Sequence, residues 1–337
     1  MTVAYLAGVR AQPDNLRRSA ETVRAALAGP AGAQAAAASR WGSLLAFGMG
    51  ASSHAAAGFA AVLRAGGLPA ISASAADLHD GVPPGLAAAF LGISQSGRSR
   101  DTVDTLAGVP AGPAARLALT NHPDSPLGAA ADTVVTLGCA LDTPVSTLSY
   151  TATLQALGLL AERISGRPQT DWDLLPDLAA EVLEDDVEPL AEALTGAGCV
   201  DAVASGVRLA TAGAAALLLR EAAHLPTASF ATHEYLHGPL ETAGPGHAVL
   251  LFGAGREVSL AADLAGYGAR VVLVTDAEAG EPTHDNLRVV RLPGVAGLGG
   301  CVLDILPVQL AAQALAERAG RPIELRHMPA DTKLPPG

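Results

Sequence analysis

Short apolar runs recur along this chain, each closed by glycine or a small polar residue and followed by a longer Ala/Leu-rich stretch. In the first half they read LLAF (44–47), AAAFLGIS (87–94) and RLALT (116–120). In the second half they read CVDAVA (199–204), HAVLLFGAG (247–255) and ARVVLVTD (269–276). Runs of this length between helical patterns predict buried parallel strands joined by helices, an α/β class. Ahead of the first run the spacing predicts a helix from about Asn15 to Leu27, with Asp14 as its N-cap. The acidic stretch LPDLAAEVLEDDVEPLAEALTG (175–196) predicts a helical connection between the halves.

The halves echo one another. TLQALGLLAERISGRP (153–168) returns as PVQLAAQALAERAGRP (307–322). Each half also opens with a strand, a glycine-bearing turn and a long Ala/Leu helix: LLAFGMGASSHAAAGFAAVLRAGG and CVDAVASGVRLATAGAAALLLREAAHL. The expected organisation is two similar three-layer αβα domains with parallel sheets, arising by internal duplication. Residues 1–170 hold the N-terminal helix and first domain, 171–196 the helical linker, and 197–337 the second domain with a C-terminal tail.

Composition sharpens this picture. A chain of 337 residues exceeds one ordinary core. Half of it is hydrophobic but only 3% aromatic, so Ala, Val and Leu must build the interior. A net charge of −12 works against nonspecific binding to nucleic acid or anionic membrane, and neither is an expected partner. An anionic substrate then needs a local positive site. Cys139, Cys199 and Cys301 lie far apart, which predicts reduced, buried thiols in a cytoplasmic protein. Residues 1–9 lack the basic start of a signal peptide. The uncharged stretch Trp41–Leu63 is broken by GMGASSH, fitting strand, loop and helix better than a membrane span.

Ligands of open α/β sheets sit at the carboxyl ends of the strands. After FLGI comes SQSGRSRDT, Ser94 to Thr102. Clustered hydroxyls and a glycine at a strand-to-helix junction suit a tetrahedral oxyanion, because free N–H groups and the helix dipole supply positive potential. GMGASSH adds Gly50 and Ser52 at the corresponding loop of the preceding strand. A turn with an N-capping serine would explain an isolated SxSG, but two such loops in succession favour an anion site.

SQSGRSRDT resembles the SQSGET-DT signature of sugar isomerase (SIS) domains, and FGMGASSHAAAG resembles their first glycine–serine loop. AQPDNL (11–16), VSTLSYT (145–151) and LLLREAAHLPTASFATHEYLHGPLE (217–241) are similar to segments of the isomerase half of glucosamine-6-phosphate synthases. The resemblance implies phosphosugar binding at a homodimer interface. It places sugar-phosphate contacts on Ser52, Ser94, Gln95, Ser96 and Ser99, with Val145 and Ser146 lining the sugar. It also implies Glu221 as catalytic base and His237, offered by the neighbouring subunit, as the ring-opening group. Leu218 stands where that pattern has lysine, and His233 and Leu236 where it has glycine and lysine, which counts against the synthase's own chemistry.

HEYLH (233–237) matches the zinc pattern HExxH, with Glu241 as a nearby further ligand. Gly238–Pro239 halts a helix directly after His237, so ordinary polar loop histidines are the better reading, and no metal or cofactor is expected. Glu221 lies in a helix so apolar that its carboxylate is either paired or used, with its pKa raised by burial.

Lys333, in the closing ADTKLPPG, is the only lysine in the chain. Composition alone explains it as a stray surface charge. The resemblance gives it a role, since those enzymes bring a lysine from a terminal loop to the carbonyl end of the substrate. An amine that loses its proton can form an imine and a guanidinium cannot. The chain starts at Met1 without an N-terminal cysteine nucleophile, so a glutaminase domain is not expected. The expected activity is therefore deamination of a glucosamine 6-phosphate-type substrate to ketose 6-phosphate and ammonia. A fructosamine-6-phosphate deglycase, plain isomerisation or a noncatalytic sugar-phosphate sensor stand as alternatives.

Overall fold

The computed structural model describes residues 3–37, 42–278 and 283–335. Trp41, where the uncharged stretch begins, and Met1 and Gly337, which bound the expected domains, lie outside these. The helices in chain order are α1 (Tyr5–Arg10), α2 (Gln12–Ala28), α3 (Pro30–Ala37), α4 (Ala51–Ala65), α5 (Arg100–Ala107), α6 (Pro126–Ala129) and α7 (Leu148–Ser165). They continue with α8 (Leu175–Val182), α9 (Glu188–Leu194), α10 (Leu209–Ala222), α11 (Thr232–Tyr235), α12 (Arg256–Gly266) and α13 (Gly297–Arg318).

One sheet contains β1 (Leu44–Gly48), β2 (Ala70–Ser74), β3 (Ala89–Ile93), β4 (Ala115–Thr120) and β5 (Thr133–Thr136), in the order β2-β1-β3-β4-β5. The other contains β6 (Cys199–Ala204), β7 (Thr227–Ala231), β8 (His247–Phe252), β9 (Arg270–Thr275) and β10 (Leu287–Arg291), in the order β10-β9-β8-β6-β7. Read from the other edge, this second order is the first one repeated. Every pairing is parallel. The predicted strands are the central ones, buried on both faces. β2 and β7 (AISAS and TASFA) are half-open edge strands whose small side chains carry no apolar run.

In the first sheet Leu45, Phe47 and Phe90 face Val103 and Leu106 of α5 and Leu127 of α6. By strand alternation Leu44, Ala46, Leu91 and Ile93 point to the opposite face, where α4 and α7 pack together and α4 lies on β1. In the second sheet Val203, Val249, Leu251 and Leu273 meet Leu260 and Leu264 of α12. There α10 packs on β6 and on α13. The helix α13 is long and apolar enough to cross a membrane, but 89% of its apolar window is buried inside the protein, as in a core helix.

The compact units draw their residues differently from the expected ranges. One contains Asp14–Leu141, Leu148–Asp173 and the tail Arg326–Gly337. The other contains Met1–Pro13, Asp142–Thr147 and Leu174–Leu325. The tail belongs with the first sheet because residues of the first sheet's serine loop and α5 hydrogen-bond to it. The stretch 175–196 is helical, but α8 and α9 pack on α13 and are part of the second sheet's unit. Asp14 is no N-cap: α2 starts two residues earlier, and Asp14 pairs with Arg17 at 2.9 Å inside its first turn. Cys139 and Cys301 are buried as expected, whereas Cys199 is exposed at the amino end of β6.

Candidate functional site: a serine loop clamped by the C-terminal tail

In the first sheet β1 turns to β2 on one side and is flanked by β3 on the other, which makes their carboxyl ends the switch point of the strand order. Gly48 and Ile93 are register partners there. A Cβ on Gly48 would lie 2.7 Å from the Ile93 carbonyl oxygen and 2.7 Å from the Cβ of Ser52, so only glycine lets the two loops meet. Gly50 has a positive φ of 55° and turns the chain into α4, which carries Ser52 in its first turn.

The serine loop is tied down from beneath. The N–H of Ser94 donates to Leu119 O (3.1 Å), and the carbonyl of Gln95 accepts from the N–H of Asn121 (2.9 Å) and the hydroxyl of Thr120 (3.2 Å). The Ser96 hydroxyl accepts from the N–H of Arg98 at 3.3 Å. Gly97 has φ of +62°, and a Cβ there would sit 1.9 Å from Ser125 Oγ. Ser99 is the N-cap residue of α5 by position, but its hydroxyl does not cap the helix. Among the described residues no hydrogen bond engages the hydroxyls of Ser52, Ser94 or Ser99. Ser99 stands at the amino end of α5, Ser94 directly after β3 and Ser52 in the first turn of α4, and their hydroxyls can donate to an oxyanion without a formal charge.

The tail lies against this loop. Lys333 pairs with Ser99 in an isolated antiparallel bridge. Leu334 N donates to Arg98 O at 2.8 Å, and Arg98 Nε donates to Leu334 O at 2.7 Å. Arg100 Nε adds a bond to Asp331 O at 2.8 Å, and Leu334 packs against the core of the unit. The backbone of Lys333 is thus fixed and its side chain is exposed. Sequence reading passed over Arg98 and Arg100, though Arg98 stands where the SIS signature has glutamate.

The remaining candidates lie in the other unit. Glu221 is half-buried near the C-terminal end of α10, beside the buried Leu218, and burial raises its pKa. Its carboxylate and that of Asp142 stand close enough to the buried Tyr5 phenol to add to the upward pKa shift that burial gives it. The Tyr5 hydroxyl donates to Gln309 O at 3.0 Å. Val145 is buried and Ser146 half-buried in a turn built on Asp142. The Asp142 carboxylate accepts from the Thr143 N–H at 2.8 Å and the Thr147 hydroxyl at 2.9 Å. Gly8 of α1 packs so closely on this turn that a Cβ would meet Thr143 Cγ2 at 2.3 Å. Neither Tyr5 nor Asp142 was singled out from the sequence, although Asp-Thr-Pro is an Asx-turn signal. His233 lies in the single turn of α11, while His237 follows it, and both are exposed.

The first sheet lies within the part of the chain that resembles a known family. Residues 39–163 match the SIS domain family. Glutamine–fructose-6-phosphate aminotransferase (isomerizing) of Bradyrhizobium diazoefficiens is 27% identical over 252 residues, which cover 69% of this chain and 41% of that protein. The Escherichia coli K12 enzyme of the same name is 25% identical over 254 residues. The chain spans about two fifths of the length of these curated relatives. Among solved structures, the C-terminal domain of glucosamine-fructose-6-phosphate aminotransferase from Francisella tularensis has a TM-score of 0.81 at 19% identity, covering 96% of this chain and 98% of that one. Glucosamine-6-phosphate deaminase from Thermotoga maritima has a TM-score of 0.76 at 16% identity, covering 97% of this chain and 98% of that one. At these identities the structural likeness defines the fold.

Proposed function

We propose that this protein is a phosphosugar-converting enzyme, an aminosugar 6-phosphate deaminase/isomerase that turns a 2-amino-2-deoxy sugar 6-phosphate into a ketose 6-phosphate and ammonia. The observation that carries the proposal is the bridge between Ser99 and Lys333, which brings the chain's only lysine to the serine loop within the residues that match the SIS domain family. A loop used only to sense phosphate has no need of that amine. The aminosugar class of substrate is supported by the aminotransferases that the chain resembles.

In this reading Ser52, Ser94, Gln95, Ser96 and Ser99 hold the phosphate, with Gly50 shaping the first loop and Val145 and Ser146 bordering the sugar. His237 assists ring opening. Its exposure suits a group offered to a neighbouring subunit of a homodimer. Glu221 takes the proton from C2 of the open-chain sugar and returns it to C1, and burial, which raises the pKa of its half-buried carboxyl, makes it a stronger proton acceptor than an ordinary glutamate. The C2 amine becomes an imine, water adds to it, and ammonia leaves. Lys333 steadies the negative charge that develops on the C1 oxygen. The matching strand order of the two sheets, with the 153–168 and 307–322 echo, supports descent from a duplicated domain.

Ammonia release from glucosamine 6-phosphate, assayed beside isomerisation of hexose 6-phosphates, tests the proposal. Release by the wild type and its loss in Glu221→Gln support it. Turnover of an N-substituted fructosamine 6-phosphate alone would reassign the chain to deglycation, and phosphosugar binding with no turnover of any of these would make it a sensor.

A further inference from the structure

The second sheet has its own switch point, where β6 and β8 end side by side at the pair Ala204 and Phe252. The loop after β3 runs six residues before α5, but the loop after β8 runs three, Gly253 to Gly255, before α12. The second residue of α12 is Glu257, whose side chain folds back over the helix start. It is only 3% exposed. Its carboxylate accepts from the Ser205 hydroxyl at 2.7 Å and from the Thr232 hydroxyl. Those donors follow β6 and β7 directly, and Gly253 follows β8. A Cβ on Gly253 would lie 2.5 Å from Glu257 Oε2, so the carboxylate sits against the loop backbone itself.

These are the partners an oxyanion takes at the carboxyl ends of parallel strands: hydroxyls from adjacent strand ends and the start of a helix. Arg208, three residues after Ser205, is already paired, with Asp304 at 2.9 Å and with Asp276 at 3.1 Å. Burial alone would push the Glu257 carboxyl up, but hydrogen bonds from Thr232, Ser205 and backbone N–H groups outweigh it and hold the group ionised.

We infer that the second crevice is an anion site filled by the chain's own carboxylate, with Glu257 standing where an inorganic or sugar phosphate would otherwise bind. Its ligand class, once vacated, is a small tetrahedral oxyanion. The inference rests on the reading of the serine loop only in its corollary, that phosphate is taken up by one sheet and not by both.

The test compares wild type, Glu257→Ala and Glu257→Gln by thermal unfolding in inorganic phosphate and in chloride of equal ionic strength. Vacating the crevice is expected to make phosphate raise the midpoint of Glu257→Ala by more than it raises that of the wild type. Glu257→Gln keeps the space filled, so its phosphate response is expected to stay at the wild-type level. Equal phosphate responses in Glu257→Ala and wild type overturn the inference. If Glu257→Ala does not fold in chloride, the same comparison is read as refolding yield. Recovery in phosphate supports the site, and no recovery in either salt overturns it. Because the wild type is the baseline, failure of the serine loop to bind phosphate leaves this comparison intact and is registered separately, as a wild type that phosphosugar does not stabilise.

Discussion

Lys333 and Ser99 are partners in an antiparallel bridge, although 234 positions separate them in the chain. On either side of that pair Arg98 exchanges two hydrogen bonds with Leu334, and Arg100 holds Asp331. An exposed tail segment thereby acquires a fixed position on the serine loop that follows β3.

The proposal makes the Lys333 amine part of the chemistry and not of phosphate binding. Lys333→Met is expected to lower kcat by roughly 10²–10³-fold, the range for removing one preorganised stabilising donor. Lys333→Arg keeps the charge but not the compact amine, and is expected to lose most of the same activity. Steady-state kinetics with glucosamine 6-phosphate, read beside a binding isotherm, checks this. Unchanged turnover in Lys333→Arg returns the residue to a surface charge.

Arg98 is a positioning residue in this account. Arg98→Ala removes the side-chain bond to Leu334 O and is expected to lower kcat about tenfold, near 1.4 kcal/mol in the barrier. Hydrogen exchange of the Leu334 amide should rise in the variant, while the unfolding midpoint of the whole protein moves little. A purely structural role for Arg98 would shift the midpoint and leave the exchange of the tail in step with the rest of the chain.

Gly97 is required by two independent constraints, its left-handed backbone and the Ser125 hydroxyl in its way. Gly97→Ala is expected to destabilise the protein by about 1–3 kcal/mol and to weaken phosphosugar binding, because the serine loop must shift to make room. Denaturant unfolding and a binding isotherm on the same sample check both. Loss of stability with unaltered binding would separate the loop from the ligand.

The pH profile carries the sign of the Glu221 shift. Burial raises its folded-state pKa, so the base is protonated, and idle, at pH values where an ordinary glutamate is ionised. The acid limb of kcat/KM is therefore expected above the usual glutamate range near 4.3. The same shift makes the protonated form the better fit to the fold. The stability it contributes is fully present below the unfolded pKa and is lost as pH rises through the folded one. Glu257 runs the opposite way: its depressed pKa stabilises above the unfolded value, and that contribution is lost as pH falls through the folded one.

What was legible in the sequence was whatever is encoded locally. Strands such as FLGI and VVLV announce themselves because both faces are buried, and Gly97 with its flanking serines marks a tight strand-to-helix junction. β2 and β7 were silent because edge strands of Ala and Ser need no apolar run. The tail's place was silent for a different reason. Arg98 and Leu334 O are 236 residues apart, and no local pattern records such a bond. Spacing could suggest that Lys333 mattered but not that two arginines would hold it. Glu257 was equally hidden, since a glutamate early in a helix reads as ordinary dipole compensation until its burial is seen.

The central claim is that a phosphosugar held by the serine loop is deaminated with Glu221 as base. The most direct measurement is ammonia release from glucosamine 6-phosphate by wild type and Glu221→Gln, with substrate binding measured on both. The account predicts stoichiometric ammonia and ketose 6-phosphate from the wild type, and none above background from Glu221→Gln, which still binds the substrate. Equal turnover by the two proteins, or no ammonia from a wild type that binds the substrate, would contradict it.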